Sequence, residues 1–196
     1  MANTNAPSGL TPYSRSSGEP YNGAVSTYYV PVGNPTALYI GDPVVLITNS
    51  SDGNGIQSVG IATAGGGTYI LGVFRGISNN AGLATIPLLQ SQTPYLPAST
   101  AAYVNICTDP DLLYAIQENG AMVSGASGRN ADLVAGTGSN YDSLSGWQLN
   151  SSTLATTNTL QMRIVKLLQE TGNAVGTNAK WLVRINLNQF TEVLGT

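Results

Sequence analysis

The chain has 196 residues, with 23 glycines, one cysteine and no histidine, and its seven basic and ten acidic side chains leave a formal charge of −3. Charged residues are only 9% of the chain against a hydrophobic 42%, which excludes a disordered polyelectrolyte and starves long exposed helices of their usual wet face. Seven scattered cations cannot collect a phosphate backbone, so nucleic acid is not an expected partner.

Residues 1–23 hold three prolines, three glycines and many small polar residues, and they predict an extended arm without a core of its own. Leu10, Tyr13 and Tyr21 are its candidate anchors on a neighbouring subunit. From Ala24 to the end one β domain is expected. AVSTYYV is a strand closed by the turn VGNP, and ALYIGDPVVLIT is two apolar runs broken at Gly41, Asp42 and Pro43. Residues 56–62 and 68–77 read as strands joined by a hairpin turn at AGGG. TYILGVF is apolar on both faces, as a strand buried on each side must be. Pro87, Pro94 and Pro97 make residues 78–99 a surface loop with a short strand near 84–88, and Pro94, Tyr95, Leu96 and Pro97 are a second set of candidate contacts.

Residues 100–108 and 112–117 form the next pair of strands, around Asp109-Pro110-Asp111. Gly-rich turns with a short strand follow, and residues 148–152 resume the sheet. TLQMRIVKLLQE fits either a strand or an apolar helical stripe, and alternation at Leu160, Met162 and Ile164 favours strand. In KWLVRINLN, Trp181, Val183, Ile185 and Leu187 share one face and Lys180, Leu182, Arg184 and Asn186 the other, so one face is core and the other largely wet. Short strands with turns at this spacing predict an all-β sandwich, jelly roll or barrel.

The chemistry-bearing residues are few. Without histidine the usual general base, metal ligand and catalytic triads are unavailable. Asp109 with Asp111, or Asp132 with Asp142, are the carboxylates closest to a glycosidase pair, but Asp-Pro-Asp and Gly-Ser-Asn-Tyr-Asp are turn sequences. Asp109 and Asp111 lack the ladder of a calcium loop and Asp52-Gly53-Asn54-Gly55 offers one carboxylate only, Gly65-Gly66-Gly67 lacks the Lys of a phosphate loop, and Gly136 and Gly138 lack the third glycine of a dinucleotide fingerprint. Tyr28, Tyr29, Tyr39 and Tyr69 are more readily core or interface residues than a sugar platform. Cys107 sits between strand residues and reads as a buried thiol. No catalytic residue, metal or cofactor is therefore expected. The start carries no signal-peptide pattern and no run reaches the roughly 20 apolar residues of a membrane span, so a cytosolic site of synthesis and no membrane partner are expected.

Several phrases resemble a group of tailed-phage virion proteins known as head decoration, cement or minor structural proteins. They are MANTNAPSGLTP, GDPVVL, the strand ILGVFRG, DPDLLYAIQENG, NADLVAGTGS, SGWQLNSST and NAKWLVRINLNQF, in order over nearly the whole chain. The resemblance implies a β domain of jelly-roll or barrel type on the outside of a capsid shell, with the major capsid protein as partner. A homo-oligomer, dimer or trimer, is expected with it. A carbohydrate- or receptor-binding virion module is the alternative.

Overall fold

The structure, a computed structural model that describes residues 3–78 and 94–191, is all-β. Its strands are β1 (Thr11–Arg15), β2 (Ser26–Val30), β3 (Pro43–Ser51), β4 (Gln57–Ile61), β5 (Gly72–Ile77), β6 (Ala102–Cys107), β7 (Leu112–Gln117), β8 (Asn130–Ala131), β9 (Leu133–Val134), β10 (Gln148–Leu149), β11 (Met162–Leu167) and β12 (Lys180–Ile185). Two short 3₁₀ turns, Ser124–Ala126 and Ser151–Thr153, complete the regular structure. Strands β2-β4-β3-β5-β6 close into a barrel, β1-β7-β12-β11-β8 form an open sheet, and β9 and β10 make a small ribbon.

Strand alternation creates two cores that share a wall. Val44, Val59, Leu71, Phe74, Val104 and Ile106 fill the barrel, while Tyr114, Ile116, Met162, Ile164, Trp181 and Val183 of the sheet pack in a second core with Val73 and Cys107. Neighbours in sequence thus face opposite ways: Val73 and Phe74 on β5, Cys107 and Ile106 on β6. That is why TYILGVF has no polar face. Each such side chain contributes about 1.5–3 kcal/mol by leaving water. Gly72 is dictated by this wall, because a Cβ there would lie 2.2 Å from the Cys107 carbonyl oxygen.

Several expectations change. The first 23 residues are not an arm apart from the core. Leu10 is fully buried in the second core, and β1 pairs antiparallel with β7, with Pro12 at a register shift. The chain then returns along β1, with the Arg15 N–H donating to the Glu19 carbonyl at 2.7 Å and Tyr21 N–H to Tyr13 at 3.3 Å. Arg15 and Asp109 lock that return at 2.8 Å. The physical reason is edge protection: an apolar anchor and a strand edge within the same chain are nearer partners than a neighbouring molecule. At the other edge, Asn130 and Ala155 exchange backbone bonds of 2.8 and 2.9 Å.

The AGGG turn is not a hairpin, because β3 lies between β4 and β5. Residues 148–152 give a two-residue strand and a 3₁₀ turn outside the main sheet. TLQMRIVKLLQE is strand, as its alternation predicts, and its Arg163 and Lys166 are exposed. The outer face of β12 is not wholly wet, since Leu182 is buried there. The strand expected near 84–88 lies outside the described residues.

One amide joins barrel and sheet. Gln161 is fully buried, and its Nε2 donates to the Thr63 carbonyl at 2.9 Å and to Thr68 Oγ1 at 2.7 Å. Its Oε1 accepts from Gly65 N–H at 3.1 Å and Leu133 N–H at 3.2 Å, and its own N–H donates to Asp132 Oδ1 at 3.1 Å. Removing it leaves several buried groups unpaired at once. The variant Gln161→Leu is expected to lose about 2–4 kcal/mol of stability in urea denaturation; an unchanged midpoint would show that the joint carries no weight.

Candidate interaction surface

Three segments meet beside the barrel. Leu38 and Leu96 exchange backbone bonds of 2.9 and 2.8 Å, tying residues 36–40 to residues 94–97. Ile40 N–H donates to Ser143 and Ser145 N–H to Ile40, both at 2.9 Å, which brings in residues 136–145. Backbone pairing therefore sets the positions of side chains far apart in sequence.

On this frame the Tyr39 and Tyr95 rings stack with centroids 5.0 Å apart and planes 14° from parallel. Tyr39 also rests on Gly138, where a Cβ would come within 2.2 Å of the ring, and its hydroxyl donates to Asn140 Oδ1 at 2.5 Å. The next residue, Tyr141, is 100% exposed. It projects from a braced loop: Ser139 N–H donates to Leu144 at 2.9 Å, Ser143 N–H to Ser139 at 2.8 Å, and Leu144 N–H to Asp142 Oδ1 at 3.1 Å. The Leu144 N–H and the Ser139 hydroxyl hold the Asp142 carboxyl below the usual range. Ser143 adopts φ +62°, a left-handed conformation that costs a side-chain-bearing residue on the order of 1 kcal/mol. These bonds offset that cost.

A cavity of about 400 Å³ opens next to the stacked pair, lined among others by Thr36, Tyr39, Asp42, Thr137 and Trp147. Asp42 is buried and accepts from Tyr39 N–H at 2.8 Å. Burial pushes its carboxyl up to about 6, against the lowering influence of the Ser145 hydroxyl and the Tyr39 N–H.

The seven residues expected to make contacts do not form one surface. Pro94 is exposed, Tyr95 and Pro97 are half-buried, and all three belong to the surface just described. Leu96 is fully buried in the barrel core and Leu10 in the second core, so neither is available to a partner. Tyr13 is 51% exposed on the edge strand β1. Tyr21 is half-buried beside the second core and donates to the Ala24 carbonyl at 3.0 Å. Burial first, and the nearby Cys107 thiol second, raise its phenol to about 12.

Tyr39 was read from the sequence as a core or interface residue, but Asn140 and Tyr141 were not singled out. A large aromatic at the tip of a polar turn, Ser-Asn-Tyr-Asp, is the signal that points to them.

The carboxylates have structural partners. Asp109 joins Arg15 and caps the Asp111 N–H at 3.0 Å, Asp132 braces Gln161, and Asp142 shapes the Tyr141 loop. Cys107 is fully buried, 3.8 Å from the Tyr114 hydroxyl. Among the described residues no group of three or more His, Cys, Asp or Glu is placed to hold a metal ion, and no helix is long and apolar enough to cross a membrane. Comparison of the chain with family models, curated proteins and solved structures finds no match.

The Asp42 carboxyl has a pH signature. Its folded pKa of about 6 lies above the unfolded value of about 3.9, so protonation favours the folded chain. The contribution is complete below pH ~4 and is lost as pH rises through about 6, with an upper bound of about 3 kcal/mol. Asp42→Asn keeps an acceptor for the Tyr39 N–H. Urea titrations at acid and alkaline pH are expected to show a smaller loss of stability with rising pH in the variant; an unaltered difference would contradict the assignment.

Proposed function

We propose that this chain is a capsid decoration, or cement, protein of a tailed bacteriophage, made in the host cytoplasm and bound to the outside of a head built from the major capsid protein. The observation that carries the reading is Tyr141, a fully exposed aromatic fixed on a hydrogen-bonded loop beside a stacked tyrosine pair. An exposed ring costs solvation, and one carried on a braced backbone leaves only its own rotamers to order when a partner covers it. The ordered phrases from GDPVVL to NAKWLVRINLNQF support the same reading. So do the covered edges of the open sheet, which suit a protein that must crowd on a surface without pairing edge to edge.

In this role the protein needs no turnover. Binding the assembled shell and not its dissociated parts shifts the equilibrium toward the shell, and a dimer or trimer multiplies the effect. Tyr141, Tyr95 and Pro94 are the proposed contacts. A carbohydrate-binding virion module is the second reading, favoured by the Tyr39 and Trp147 walls and the carboxylate of the adjoining cavity.

Bare heads of the encoding virus, titrated with the purified protein, separate the readings. Wild type is expected to bind, and Tyr141→Ala to weaken binding by about 2 kcal/mol, roughly 30-fold, with an unchanged melting temperature. No binding of wild type to heads, with retention on a glycan array, would replace the decoration reading by the second.

A further inference from the structure

The face of the open sheet turned away from the second core carries an unpaired basic group. Trp181, Val183 and Ile185 point inward, so alternation puts Leu182 and Arg184 on the outer face. Arg163 of β11 stands directly opposite Arg184, and a register shift after Ile164 brings Lys166 opposite Leu182. Ala115 of β7 continues that row. Two like charges thus face each other across neighbouring strands, an arrangement that opposes folding.

The other cations show what is unusual here. Arg15 pairs with Asp109 and Glu19, Lys180 pairs with Glu170 at 3.0 Å, and Arg129 donates to the Leu154 carbonyl at 3.1 Å, while Arg75 is half-buried on β5, where its charge acts on the Tyr21 phenol. Among the described residues Arg163, Lys166 and Arg184 have neither an ion pair nor a side-chain hydrogen bond. Yet the chain has more acids than bases. Three cations without an acidic partner among the described residues, two of them in mutual repulsion, thus share one face of an acidic protein.

We propose that this face docks an acidic segment of a partner protein, whose carboxylates bridge Arg163, Arg184 and Lys166. Two arginines about 5 Å apart at Cβ match the spacing at which a carboxylate accepts from both. An apolar neighbour favours a protein over a nucleic acid: Val165, between Arg163 and Lys166 in sequence, is 38% exposed, and half-buried Ala115 lies in the row of Lys166 beyond the buried Leu182. Three cations are also too few to hold a polyanion against a net negative chain. On the decoration reading, on which the partner's identity rests, the acidic segment belongs to the shell subunit.

The test uses the full chain, the double variant Arg163→Gln/Arg184→Gln, and three probes: bare heads, a fluorescent peptide of alternating glutamate and leucine, and a short DNA duplex. Wild type is expected to bind heads and peptide, more weakly as sodium chloride rises from about 50 to 500 mM. The double variant is expected to bind both at least about tenfold more weakly and to melt at an equal or higher temperature, because the repulsion is gone. A lower melting temperature in the variant would show that the arginines serve the fold and overturn the proposal. Equal head binding by both proteins overturns the basic face and leaves the decoration reading standing. If wild type ignores heads but binds the peptide through these arginines, the face stands and the decoration reading falls. Tighter binding to the duplex than to the peptide overturns the choice of an acidic protein.

Discussion

Burial of β5 and β6 on both faces is the constraint from which the rest of the architecture follows. A strand with one wet face can end a layer; a strand with none must be covered twice. Phe74 and Ile106 require the barrel interior, and Val73 and Cys107 require the sheet. Neither half can be removed without exposing the other's wall, so barrel and sheet stabilise each other. Gln161 adds direction to this non-directional contact. Its amide fixes how the β4–β5 connection seats on the segments around β9 and β11, because only one alignment satisfies the Gly65, Leu133 and Thr63 groups together.

That rigid body sets apart two surfaces of different character. One is aromatic and nearly uncharged, built from loops that backbone bonds hold in place. The other is basic and built on strands. A loop surface suits insertion into a recess, whereas a sheet face suits a broad contact whose strength depends on salt. Both are expensive to leave bare, the first in exposed aromatic area and the second in charge repulsion, and both are carried by a scaffold whose own edges are closed.

The parts of the fold that depend on local pattern were legible in the sequence. Residues 112–117 form a strand with the expected bounds, KWLVRINLN alternates as its residues dictate, and the two-sided apolar run at 70–74 lies in the shared wall. What escaped depends on partners distant in the chain. Pro12 argues locally against a strand, yet it sits at a register shift where the missing donor does little harm. Leu10 looks like a free anchor until β7 is placed beside it. The insertion of β3 between β4 and β5 is a matter of non-local pairing that no turn sequence encodes. Of the interaction surface, Tyr95 and Pro94 were legible because prolines mark a surface loop. Tyr141 was not, because Asn-Tyr-Asp reads as a turn whatever its middle residue does, and the Arg163–Arg184 opposition exists only once the β11–β12 register is known.

The barrel closes unevenly. Where β2 meets β4 the strands run parallel and share a single register pair, Tyr29 with Ser58, while β2 and β6 are matched over five residues. A seam fastened at one stitch is expected to open more readily than one matched over five residues, and to exchange its backbone amide protons with solvent sooner. The seam lies across the barrel from β5, so loosening it leaves the pairing of β5 in the shared wall untouched.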